Sequence, residues 1–146
     1  MLRLKDVHAG YGKAVVLHGV SLEVQDREVV ALVGPNGAGK TTTLRCITGE
    51  VPLVSGMVEY NDKNISGVLV QDVVSLGISC SPDGRNVFGK LTVYENLRMG
   101  GFLVKDRALI AERIDWIFSL FPRLAERRSQ LAESLSGGEQ QMLAIG

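Results

Sequence analysis

The stretch GPNGAGKT, residues 34–41, decides how the rest of this sequence is read. It fits the pattern G-x-x-x-x-G-K-[ST]. The backbone of Gly34, Pro35, Asn36, Gly37, Ala38 and Gly39 is expected to turn tightly, so that successive N–H groups point into one concavity at a helix start. Such a concavity holds anions through aligned dipoles. Lys40 adds a full positive charge suited to the β- and γ-phosphates of a nucleotide. The Thr41 hydroxyl is the expected Mg2+ ligand, and Thr42 reaches toward the α-phosphate.

The flanks supply the context this motif needs. Before it, VVALVG from Val29 is a continuous apolar run, which predicts a strand covered on both faces. After it, a helix is expected over residues 40–48, ended by Gly49 and kept from returning by Pro52. Further out, Val20, Leu22 and Val24 alternate with polar neighbours, the period of a half-buried strand. GMVEYND predicts a short strand closing in a turn at Asn61 and Asp62. DVVSLG predicts a helix stopped by Gly77 and followed by a short strand, ISC.

From Leu91 the pattern becomes helical. Thr92 and Glu95 have capping-box spacing. Ile110, Ile114, Ile117, Phe118 and Phe121 share one helical stripe, with Glu112, Arg113 and Asp115 off it and Pro122 closing the segment. ERRSQLAES is polar and expected on the surface as a loop or short helix. In LSGGEQQ, Ser136 and Glu139 again have capping-box spacing. Gly137 and Gly138 leave the first-turn N–H groups unshielded, so this helix start is also expected to bind anions. Strand, glycine loop, helix, strand and then a helical block argue for an α/β core with an inserted helical subdomain. The division is expected at residues 1–83 and 84–146.

The 146 residues carry 16 basic and 16 acidic side chains, which gives no reason to expect a nucleic-acid partner. No apolar run approaches the ~18 residues needed to span a bilayer. MLRLKDV alternates charged and apolar residues, unlike a signal peptide. Cys46 and Cys80 lack metal-ligand spacing and are expected to be small buried hydrophobes of a reducing compartment. His8 and His18 are expected at the surface or in turns of the N-terminal strands.

With GPNGAGKT upstream and LSGGEQQ downstream, the chain resembles ABC-type ATPases, the nucleotide-binding subunits of ATP-binding cassette transporters. The resemblance implies a phosphate-loop NTPase fold of ABC ATPase type: a parallel-sheet core, an N-terminal antiparallel β subdomain and an inserted helical subdomain. It implies ATP and Mg2+ as cofactors. Tyr11 stands where the family stacks an aromatic ring on adenine. Ser136, Gly137 and Gly138 stand where the signature covers the nucleotide held by a second ATP-binding subunit in a head-to-tail dimer. Asp83 stands where most members place a Gln that contacts Mg2+ and the attacking water, so it is a candidate catalytic residue and metal ligand. DGRNVF, LTVYENLRMGGF, FPRLAER and LSGGEQQMLAIG resemble one of the two ATP-binding subunits of branched-chain amino acid importers. The resemblance thus implies a peripheral subunit on the cytoplasmic face of the membrane, coupling ATP hydrolysis to uptake through permease subunits and, indirectly, a periplasmic substrate-binding protein. Importers of urea, amides or other amino acids are the alternatives; an ABC protein of translation or DNA repair fits the short helical block less well.

Two positions depart from that pattern: Gly89, where a proline is usual, and Arg27, where a turn glycine is usual. The resemblance also implies a later strand ending in Asp-Glu and a later His, none of which has a match here. The chain is therefore expected to lack the C-terminal part of the cassette, and the alternative for it as given is a fragment that only binds nucleotide.

Overall fold

The computed structural model describes residues 1–81, 84 and 86–146. They form two compact units, Met1–Cys80 and Ser81–Gly146. In the first, strands β1 (Leu2–Tyr11), β2 (Ala14–Val24), β3 (Leu53–Tyr60) and β4 (Lys63–Asn64) make an antiparallel sheet in the order β2-β1-β3-β4. Helix α1 (Lys40–Ile47) connects the hairpin side to β3, and the short α2 (Val70–Ser75) follows β4.

The sheet core contains Leu4, Val7, Ala9, Leu17 and Val58, with Cys46 and Ile47 of α1 packed on it. Leu4 and Val7 are an odd number of residues apart, so a regular strand would point them to opposite faces. The register of β1 shifts between them, and Asp6 takes φ 46°. This bulge returns Val7 to the buried face. A Cβ on Gly56 of β3 would lie 2.2 Å from the Asp6 carbonyl oxygen, so the bulge requires glycine opposite it. On the outer face Arg3 pairs with Glu23 of β2 at 3.0 Å and Lys5 with Glu59 of β3 at 2.8 Å. The turn at Asn61 and Asp62 has φ of 47° and 59° at its two central residues. That geometry matches the right-handed twist of a hairpin and favours Asn there.

Two expected elements differ. Residues 29–33 form no strand among the described residues, and Val29 and Val33 are 95% and 88% exposed. A central strand takes its hydrogen bonds from flanking segments, and no described segment pairs with this run. The expected strand at ISC is likewise irregular, and Cys80 is exposed while Cys46 is buried.

The second unit is helical: α3 (Val93–Gly100), α4 (Arg107–Leu120), α5 (Pro122–Glu126), a 3-10 turn at Ala132–Ser134 and α6 (Gly137–Ile145). Its core gathers Val93, Leu97, Ile114, Leu124, Ala132, Leu135 and Leu143, flanked by the predicted stripe residues Ile110, Ile117, Phe118 and Phe121. Both capping boxes form, Thr92 with Glu95 and Ser136 with Glu139. Asp106 caps α4, and Pro122 opens α5 at a position where its missing N–H costs nothing. Val93 and Tyr94 donate backbone hydrogen bonds to Gln130 and Arg128, and Ala132 donates to Leu91. This two-segment ladder delivers the chain to the start of α6.

Candidate nucleotide site

Gly39 is the N-cap of α1, at φ 87°, and offers no side-chain cap. The first α-helical bond at this end runs from Thr43 N to Gly39 O at 2.8 Å. The N–H groups of Lys40, Thr41 and Thr42 therefore precede the helical ladder and point out of its end. A Cβ at Gly39 would stand 2.6 Å from Leu17 Cδ2, so only glycine lets the loop lie this close to the β1–β2 hairpin. Lys40 folds back across the loop, its Nζ donating to the carbonyl oxygens of Gly34 and Pro35, both at 2.8 Å. Ala38 N donates to Pro35 O at 3.2 Å, closing the turn between them. Thr41 is exposed on the first turn; Thr42 and Thr43 are buried, and Thr43 Oγ1 donates to Gly39 O. Open backbone dipoles, an ammonium and an exposed hydroxyl suit a polyphosphate with its divalent cation, and α1 is long enough to supply a macrodipole.

Tyr11 ends β1 beside this helix. Its hydroxyl accepts from Arg45 Nη1 at 3.3 Å, and hydrogen bonding with Thr42 and then Arg45 lowers the pKa of the phenol below its ordinary value. Tyr11 is 45% exposed. The structure thus brings together, within the first unit, Tyr11, the loop residues and Thr42.

In the second unit Ser136 caps α6: its Oγ accepts from Glu139 N at 3.4 Å, and Ser136 N donates to Glu139 Oε2 at 2.8 Å. Arg127 Nε holds the other carboxylate oxygen at 3.0 Å. The Ser136 hydrogen bonds, then the Arg127 and Arg123 charges, keep Glu139 below the ordinary carboxylate range. Nothing lies within 4 Å of a Cβ built on Gly138, so the helix start is open. Asp83 lies outside the described residues. Among the described residues no cluster of three or more His, Cys, Asp or Glu side chains could hold a metal ion.

Sequence inspection missed two supporting residues. Arg45 follows Thr42 by one helical turn, which was legible as a shared face. Arg127 reaches Glu139 only because the ladder described above folds residues 128–133 back, and no local pattern marks that.

A glycine-opened loop at a helix start, beside an antiparallel hairpin, defines an α/β protein with a phosphate-binding loop. A family model described as ABC transporter matches residues 17–146, and the chain belongs to the ABC transporter family. It is 45% identical, over its whole length and 62% of the relative, to the high-affinity branched-chain amino acid transport ATP-binding protein BraG of Pseudomonas aeruginosa. It is 39% identical, over 99% of its length and 61% of the relative, to the probable branched-chain amino acid transport ATP-binding protein LivF of Archaeoglobus fulgidus. A solved ATP-binding subunit of an ABC transporter superposes with TM-score 0.86 at 29% identity, over 99% of this chain and 59% of that one. The chain thus spans about three fifths of the length of these relatives.

Proposed function

We propose that this chain is the nucleotide-binding portion of an ABC importer ATPase that drives branched-chain amino acid uptake. The observation that carries it is the start of α1, where Gly39 leaves the helix end uncapped and Lys40 lies across the same loop. The loop amides and Lys40 cradle the phosphates of ATP, Thr41 faces Mg2+, and the open face of Tyr11 receives the adenine. Bound ATP supplies the scissile phosphate and Mg2+ neutralises its charge; the chain positions both. The open start of α6 at Ser136, Gly137 and Gly138 covers the nucleotide of a second ATP-binding subunit in a head-to-tail dimer. Asp83 serves as a further Mg2+ ligand. Permease subunits anchor the assembly at the cytoplasmic face of the membrane; among the described residues no helix of this chain is long and apolar enough to cross one. The substrate assignment is supported by the two relatives whose names state branched-chain amino acid transport.

Lys40→Ala tests this. Equilibrium binding of Mg-ATP is expected to weaken by at least about tenfold, the loss of a charge-assisted hydrogen bond. Unaltered affinity would remove the loop from the site.

A further inference from the structure

Arg45 stands on α1 with a partner at each end of its guanidinium. Nη1 donates to the Tyr11 hydroxyl at 3.3 Å, and Nε lies 3.7 Å from Glu50 Oε2. Glu50 is itself fixed: its other oxygen accepts from Thr48 Oγ1 at 2.9 Å, and its backbone N donates to the Arg45 carbonyl, also at 2.9 Å. The turn that ends α1 therefore braces Arg45, and Arg45 braces the phenol. A planar, forked cation does this better than a flexible ammonium, because one rigid group spans both partners. Tyr11 closes a two-residue turn at the hairpin tip, with Ala14 opposite it in the register. A residue so placed has little packing of its own to fix its ring. Its hydroxyl is held against α1 by Arg45, while the residue stays 45% exposed.

We propose that Arg45 is a positioning residue of the nucleotide site: it anchors the Tyr11 hydroxyl and so presents the ring as a platform for the base. This rests on the reading of Tyr11 under Proposed function. Arg45 acts on the base end of the ligand and leaves the phosphate end to the loop. An ion pair with Glu50 that merely finished α1 would show no such division.

The test compares Mg-ATP with inorganic tripolyphosphate, which has the charge and lacks the base. Equilibrium dissociation constants are measured for the parent protein, Arg45→Met, Tyr11→Phe and the double variant. Arg45→Met is expected to weaken Mg-ATP about three- to tenfold, the range of one hydrogen bond, with tripolyphosphate changed less than about twofold. Tyr11→Phe keeps the ring, removes the anchor point, and is expected to reproduce that loss. Adding Arg45→Met to Tyr11→Phe should cost nothing more, because the two act through one contact. Equal losses for both ligands, additive losses in the double variant, or parent-like ATP binding by Arg45→Met would each overturn the proposal. Parent protein that binds tripolyphosphate and Mg-ATP equally well would overturn the assignment of Tyr11 itself, and failure of the parent to bind either would overturn the proposed function.

Discussion

Arg27 occupies φ 61°, a left-handed conformation that strains a residue bearing a Cβ. The neighbouring turn is held firmly: Glu28 N donates to Gln25 O, Glu28 Oε2 accepts from Gln25 N at 2.7 Å, and Asp26 pairs with the Met1 ammonium at 2.7 Å. Arg27→Gly is expected to raise stability by about 0.5–1 kcal/mol, read from the denaturant midpoint. A loss instead would mean that the side chain makes a contact worth more than the strain. Glu139 gives a second prediction at this scale. Its pKa is lowered in the folded state, so its contribution is present above the ordinary carboxylate range and lost as pH falls through the folded value. Glu139→Gln should therefore flatten the fall of melting temperature with acidification below pH ~4.5. An unchanged acid limb would show that Ser136 and Arg127 do not engage the carboxylate in solution. Both residues were partly legible in advance: the Arg27 strain followed from its place where a turn glycine is usual, and the Ser136–Glu139 box from spacing alone. Arg127 was not, because its partner is set by folding of a distant segment.

Among the elements, those whose partners are local matched their sequence signals. Helix α3 begins at Thr92 because Glu95 closes the box, with Thr92 N donating to Glu95 Oε2 at 2.7 Å. Asn96 fastens the preceding loop by accepting from Phe88 N at 2.8 Å and donating to Phe88 O at 3.1 Å. Thr92→Ala is expected to cost about 1 kcal/mol, checked by equilibrium unfolding. The bulge in β1 was illegible, since LKDVHAG carries no signal that Asp6 will leave the pleat. It is specified jointly with Gly56, more than forty residues on, where a Cβ would strike the Asp6 carbonyl. Gly56→Ala should accordingly be the more damaging substitution in the sheet, exceeding the ~1 kcal/mol that a Gly-to-Ala exchange ordinarily moves. A neutral result would mean that β3 relaxes away from the bulge. Residues 29–33 failed as a strand for the complementary reason: apolar continuity signals burial, and among the described residues no segment pairs with this run.

At the scale of the molecule, each unit has its own core, one built on a sheet and one on helices. The α/β class and the helical block after Leu91 followed from periodicity, while register and ladder pairing had to come from long-range packing. The run at 29–33 is exposed, uncharged and rich in β-branched residues, the composition of a segment that pairs with its own kind. Val29→Lys is expected to lower light scattering on concentration and to leave the unfolding midpoint unmoved, since Val29 is already solvated. Scattering unaffected by the charge would show that this run does not drive association.

The lysine lying across the phosphate loop has a kinetic consequence. Nζ holds two carbonyl oxygens, those of Gly34 and Pro35, with two of its three N–H groups, and gives them up to turn all three to an incoming anion. The loop is thereby latched by the same group that receives the ligand, so arrival and capture are separate events. Stopped-flow traces of Mg-ATP binding should saturate as nucleotide concentration rises, with a ceiling set by the latch opening and largely insensitive to salt, while the initial slope falls with ionic strength as steered encounters do.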